Sequence, residues 1–115
     1  MSAATVSFVG ALVRRNRVLL TVLEEHLVDQ EGEVLPHLFM ADVERWAESS
    51  LQQGRRPDVE RLLEQLEEEL NGPDDDVREV ISASFLEHLP RPGSSGDELR
   101  DMVGPACAEQ LRRIG

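Results

Sequence analysis

Apolar residues recur at intervals of three and four along almost the whole chain, and no segment alternates convincingly between apolar and polar residues. This spacing matches the turn of an α-helix and not the two-residue period of a half-buried strand. The clearest stripe lies in mid-chain and consists of Val59, Leu62, Leu63, Leu66 and Leu70. The pattern predicts an all-α fold, a compact bundle of five or six short helices forming a single domain over residues 1–115.

Polar residues, prolines and glycines indicate where these helices begin and end. We expect Pro36 in a first helical turn, where its missing N–H group costs nothing. Side-chain caps at helix starts are expected from Asn16, Asp58 and, paired with Glu98, Ser95, and a further helix is expected to open with Asp74, Asp75 and Asp76, whose charges complement its dipole. Breaks are expected at Glu31-Gly32-Glu33, at Asn71-Gly72-Pro73 and at Gly104-Pro105, where the last helix must kink or restart.

The segment from Asp58 to Pro90 is expected to form a helical hairpin of about the length of one HEAT-type repeat. Its second helix opens with Asp76-Val77-Arg78, which resembles the Asp-x-x-Val-Arg pattern of such repeats. A solenoid needs at least about three repeats to bury its core, and the sequence contains no second copy. The hairpin is therefore predicted to be HEAT-like only locally.

The chain is strongly acidic, with 23 Asp and Glu against 12 basic residues and a net charge of −11. Phosphate contacts need clustered basic side chains, so nucleic acid is not an expected partner, and neither is an anionic membrane. One cysteine cannot form an internal disulfide. The apolar start of the chain lacks the basic region that precedes the apolar part of a signal peptide, so a cytoplasmic location is expected.

Acidic residues are concentrated in the stretch from Glu60 to Asp76, which we name the acidic ridge. Eight acids fall within 17 residues, and Arg61 is the one basic residue among them. Like charges this dense repel one another, and the simplest interpretation is a solvated helix face followed by a favourably charged helix start. The alternative is a surface that binds a cationic partner. For that partner site we select Glu60, Glu64, Glu67, Glu68, Asp74, Asp75 and Asp76.

A second group of polar residues surrounds the first predicted loop and the helix that follows it. Its members are Glu31, Glu33, His37, Glu44 and Glu48. We treat this group as a secondary partner-binding site. Trp46 lies between the last two acids, but its spacing from Phe39 and Val43 favours a place in the core.

The sequence contains few groups that indicate catalysis. A metal site on a helix needs ligands three or four residues apart, and neither His26 nor His37 has a second histidine at that spacing. Carboxylate–histidine sites around these two residues are conceivable, although ordinary structural histidines are more common. Cys107 has no nearby histidine to act as a base, which favours a buried cysteine. We expect no catalytic set, no metal and no cofactor.

Several segments resemble a known family when they are taken together. They are Glu25-His26-Leu27, Gly32-Glu33, Leu35-Pro36-His37-Leu38, Ala41-Asp42-Val43-Glu44-Arg45-Trp46, Val80 to Leu89 and Val103-Gly104-Pro105. Their combination resembles a family of small, acidic, all-helical bacterial proteins of the actinobacterial type, over roughly residues 19–113. No activity is attached to that family. In size and charge the chain is also similar to the immunity proteins encoded beside bacterial toxins.

Three hypotheses follow, in order of preference. The first is an acidic protein-binding module, an immunity or antitoxin-like inhibitor that neutralises a cationic toxin by direct binding. The second is a helical adaptor or regulatory subunit that binds through the groove of the HEAT-like hairpin. The third is a small metal-dependent enzyme that uses His26, His37 and nearby carboxylates.

Overall fold

The computed structural model describes residues 2–114, and its regular elements are seven α-helices and two short 3₁₀-helices, Arg17–Leu19 and Leu86–His88, with no strand among those residues. They are α1 (Ala3–Arg15), α2 (Leu20–Asp29), α3 (Pro36–Gln52), α4 (Arg56–Leu70), α5 (Asp75–Ser84), α6 (Glu98–Met102) and α7 (Pro105–Ile114). The all-α prediction is confirmed. The predicted count is too low, because α1 and α2 are separate helices and Pro105 starts a new helix.

The core forms around α3 and α5. α3 packs against α1, α2, α4 and α5, while α5 also packs against α1 and α4. The apolar stripe of α4 is buried as predicted, apart from half-buried Leu70. The central side chains of α3 and α5 are Phe39, Met40, Val43, Ala47, Val77, Val80 and Ile81. Each large apolar side chain contributes about 1.5–3 kcal/mol on full burial, so these two helices anchor the bundle.

Two of the predicted helix starts are confirmed. Pro36 opens α3 in its first turn. Asp74 caps α5, and its Oδ1 atom accepts a hydrogen bond from the Val77 amide at 2.9 Å. Both are local effects, since a fixed φ or a short side-chain acceptor acts within one turn of the chain.

Three predicted caps are wrong because the polar side chains have other partners. Asp58 lies inside the first turn of α4 and forms an ion pair with Arg61. The cap position of α6 is Asp97, not Ser95, and its carboxylate accepts a hydrogen bond from the Gly93 amide. Gly93 and Gly96 both adopt positive φ, so the chain turns sharply before α6 and does not present Ser95 to it.

Asn16 is the third of these residues, and it joins two helices. Its side chain is buried, and its amide nitrogen donates to the Leu12 carbonyl at 2.9 Å and to Oε1 of Gln65 at 2.8 Å. A buried amide requires such partners, because an unmade hydrogen bond there is costly. Asn16 therefore ends α1 and ties that end to α4.

The C-terminal helix α7 packs against the hairpin of α4 and α5. It lies on α4, and its Gln110 side chain donates to the Ser82 hydroxyl of α5 at 2.9 Å. A partner that binds between α4 and α5 would compete with these contacts. Separately, no helix within residues 2–114 is long and apolar enough to cross a membrane.

Candidate functional site

The outward face of α4 carries three exposed carboxylates. Its inward face is occupied by the buried leucine stripe, so the acids one turn apart on the other side, Glu60, Glu64 and Glu68, point to solvent. This placement follows directly from the helical period. It makes these three members of the acidic ridge neighbours in space as well as in sequence.

Beside this face is a groove of about 370 Å³, which we name the α4 groove. Its lining consists of Glu60, Leu63, Glu64, Glu67, Glu68, Met102 and Gly104. The lining thus combines four carboxylates with the apolar side chains of Leu63 and Met102. A lysine or arginine side chain has the complementary composition, an apolar stem that ends in a cationic head.

Glu67 is the one carboxylate of the α4 groove that holds another helix in place. Its two carboxylate oxygens accept hydrogen bonds from the Ala106 amide at 2.6 Å and the Cys107 amide at 3.0 Å. These amides lie in the first turn of α7, where they have no acceptor within the helix. Burial raises the pKa of Glu67, but these hydrogen bonds outweigh it and hold that pKa below its ordinary value.

Gly104 allows this close approach. A Cβ atom at position 104 would lie 2.6 Å from the Glu67 carboxylate, closer than any normal contact. Close packing against Glu67 therefore requires a glycine at position 104, in addition to the break that Gly104 and Pro105 make in the chain. Gly104 and Met102 are the groove residues that sequence reasoning missed, because they are distant from α4 in the chain.

Two of the exposed acids have ion-pair partners. Glu68 binds the guanidinium of Arg15 at 2.7 Å, and Glu60 lies 3.7 Å from that of Arg56. The Arg15 hydrogen bond lowers the pKa of Glu68. All four side chains are more than half exposed, where water screens such pairs effectively. Glu64 forms no ion pair with any residue in 2–114.

The three aspartates at the end of the acidic ridge do not line the α4 groove. Asp74 is the cap of α5, and Asp75 forms an ion pair with Arg78 of the same helix. Asp76 is exposed and lines a different cleft, next to the start of α3. The structure therefore divides the ridge into a groove on α4 and a separate helix start.

The secondary partner-binding group is also divided. Glu31 and Glu33 are exposed on the loop after α2, whereas His37 opens α3 with its Nδ1 atom 2.5 Å from the hydroxyl of Ser84. Glu44 lies further along α3 and is only 2% exposed. These residues do not share one surface, so the structure gives no common site for them.

Glu44 is a carboxyl group inside the protein. Its Oε2 atom has no hydrogen-bond partner among the described residues, and it interacts with Glu48 one turn further along α3. Burial, together with the hydrogen bond and the charge of Glu48, raises the pKa of Glu44 to about 8. At neutral pH Glu44 is therefore mainly protonated, because a charged form would be poorly solvated there.

His26 is buried and links α2 to the start of α3. Its Nε2 atom accepts a hydrogen bond from the Leu35 amide at 3.0 Å, which leaves the ring proton on Nδ1, 3.6 Å from the Asp42 carboxylate. Its ring packs edge-on against Phe39. Within residues 2–114, no three His, Cys, Asp or Glu side chains are grouped to hold a metal ion.

Cys107 is buried, as predicted. Burial, followed by the hydrogen bond to the Glu67 carboxylate and its charge, raises the pKa of the thiol to about 12. The reactive thiolate form is therefore strongly disfavoured. In this environment Cys107 packs as a small apolar side chain.

Comparison with known proteins identifies one family. A family model described as "Domain of unknown function (DUF7674)" matches residues 19–114. The match includes α2 to α7 and every residue of the α4 groove, while α1 precedes it. No curated protein and no solved structure matches the chain.

Proposed function

Because this chain belongs to the DUF7674 family, whose description assigns no activity, we propose from its own surface that it is an acidic protein-binding module. Its partner is a cationic protein, and the α4 groove is where that partner binds. The observation that carries this proposal is the lining of the groove, which combines four carboxylates with the apolar side chains of Leu63 and Met102.

The charge of the whole molecule supports the same interaction. A net charge of −11 on 115 residues attracts a cationic partner over about one Debye length, roughly 8–10 Å at physiological salt. Attraction of this kind raises the association rate and makes it sensitive to salt. The apolar part of the groove then contributes to the stability of the bound complex by removing apolar surface from water.

For the biological role, we propose that the protein is an immunity or antitoxin-like inhibitor of a bacterial toxin. A toxin that acts on an anionic substrate, such as a nuclease, needs a cationic substrate site. The carboxylates of the α4 groove have the charge to occupy such a site and exclude the substrate. The adaptor hypothesis requires binding between α4 and α5, where α7 already packs.

The test compares two triple variants with the same change in net charge. The first, Glu60→Gln/Glu64→Gln/Glu68→Gln, neutralises the three exposed carboxylates of the α4 groove and keeps Glu67, which binds α7. The matched control neutralises three exposed acids elsewhere: Glu24→Gln, Glu25→Gln and Glu87→Gln. The partner is obtained by affinity capture from the native host and then expressed alone to measure its toxicity.

At 50 mM salt we expect the groove variant to lower the association rate by at least about tenfold more than the control does. The difference should shrink towards 200 mM salt, and only the groove variant should lose protection in co-expressed cells. An equal decrease in association rate for the two variants would show that net charge, and not the α4 groove, drives binding. Affinity that is independent of salt would favour the adaptor hypothesis.

A further inference from the structure

A second cleft, separate from the α4 groove, lies where the first turns of α1 and α3 meet α5. It has a volume of about 410 Å³, and we name it the α3 cleft. Its apolar lining includes Leu35, Pro36 and Val80, and Leu38 lies beside them with 49% of its surface exposed. Single exposed leucines are common, but this one borders a concave apolar surface that it could help to cover.

Two carboxylates, together with Ser2, Thr5 and His37, complete the lining of the α3 cleft. Asp76 and Glu79 are exposed and lie one turn apart on α5. Arg78 lies between them in sequence, but its guanidinium binds Asp75 and the Gly72 carbonyl instead. No residue in 2–114 forms an ion pair with Asp76 or Glu79.

The wall of the cleft formed by α3 is held in place. The hydrogen bond between His37 and buried Ser84 joins the first turn of α3 to α5. The cap position of α3 is Leu35, whose side chain cannot accept a hydrogen bond. The amides of His37 and Leu38, in the first turn of α3, have no acceptor within that helix. These amides are donors suited to a peptide carbonyl group, at a site that is already ordered before binding.

We propose that the α3 cleft binds a short peptide segment of a partner protein in which a lysine or arginine stands next to an apolar residue. The cationic head pairs with Asp76 and Glu79, the apolar side chain packs between Leu38 and Val80, and a peptide carbonyl accepts from the α3 amides. The volume suits one or two side chains rather than a folded helix. The α3 cleft shares no residue with the α4 groove, so this inference does not depend on the function proposed there.

The test uses a defined dipeptide and amide NMR spectra of the full chain. N-acetyl-Arg-Leu-amide should cause saturable shifts at the residues around the α3 cleft, in 2–5, 35–38 and 76–80, while N-acetyl-Glu-Leu-amide should not. The variant Asp76→Asn/Glu79→Gln should weaken binding at least about fivefold. The matched variant Glu24→Gln/Glu25→Gln, which removes two exposed acids outside both the α3 cleft and the α4 groove, should bind as the parent does.

The spectrum of each variant also reports whether it is folded. If the double variant is not folded, Glu79→Gln alone is used, with a smaller loss of binding expected. Equal shifts with both dipeptides, or shifts on α4 with none at the α3 cleft, would overturn the proposal. So would the lack of saturable shifts up to about 20 mM dipeptide.

Discussion

Glu67 on α4 and Glu44 on α3 are both carboxyl groups in contact with packed helices, yet their environments are opposite. Glu67 accepts hydrogen bonds from two backbone amides of α7, which hold its pKa below the ordinary value. Glu44 is only 2% exposed and interacts with a second acid, Glu48, so its pKa rises to about 8. The difference shows that burial and the donors around a carboxyl group together decide whether it stays charged.

The two groups also affect stability in opposite directions as the pH changes. Glu67 binds a proton less readily in the folded state than in the unfolded chain. Its contribution to stability is therefore present above the pKa that it has in the unfolded chain, and it is lost as the pH falls. Glu44 binds a proton more readily when folded, so its contribution is present below pH 4.5 and is lost as the pH rises towards 8. A fall in pH therefore weakens the contact between α4 and α7, whereas it strengthens the contribution of Glu44 to the stability of the folded protein.

The largest expected effect is that of Glu44→Gln. Glutamine keeps the shape of the protonated acid and cannot ionise. The stability of the variant should therefore exceed that of the parent by an amount that grows by up to about 1.4 kcal/mol per pH unit between pH 5 and 8. Urea unfolding measured across this range tests the prediction.

Glu64→Gln is the matched control for this experiment, because Glu64 is exposed on α4. The difference in the free energy of unfolding between Glu64→Gln and the parent should not change across the same pH range. If the Glu44→Gln difference were also independent of pH, Glu44 would already be ionised in the folded protein. That result would remove the contrast with Glu67.

The next largest effect is expected for Glu67→Ala, which removes both acceptors at the start of α7. Loss of two hydrogen bonds to a charged group should lower the free energy of unfolding by about 2 kcal/mol. Amide exchange should accelerate in α7 first, and Cys107 should react faster with a thiol reagent, because the helix that buries it is loosened. Both are measured on the folded protein.

Glu64→Ala provides the comparison for Glu67→Ala, since it makes the same change on the same helix at an exposed site. It should change stability by no more than about 0.5 kcal/mol and leave exchange in α7 unaltered. Unchanged protection of α7 in Glu67→Ala would mean that its apolar contacts with α4 hold it without the carboxylate.

The smallest effect is expected for Glu68→Gln, which removes the ion pair with Arg15. Both side chains are more than half exposed, so the pair is well screened. The midpoint of urea unfolding should stay within experimental error of the parent. A clear decrease would show that this surface pair, like Glu67, holds one helix on another.

Part of the candidate site could be predicted from sequence. The helical period places Glu60, Glu64 and Glu68 on the face opposite the leucine stripe, and the structure has them there. The same reasoning grouped Glu67 with these exposed acids and Glu44 with the exposed acids of the first loop. It could not separate them, because the period of a helix shows which side is apolar but not which other helix lies beside it.

The sequence by itself determined the elements: helices, their apolar faces, the starts of α3 at Pro36 and of α5 at the three aspartates, and the excess of negative charge. These features depend on residues within a turn or two of one another. The tertiary structure decided that Glu67 binds α7 and that Glu44 is enclosed. It also decided that Asp76 belongs to a different cleft from Glu64. Each of these depends on contacts between residues far apart in the chain, and such contacts form only when the helices pack.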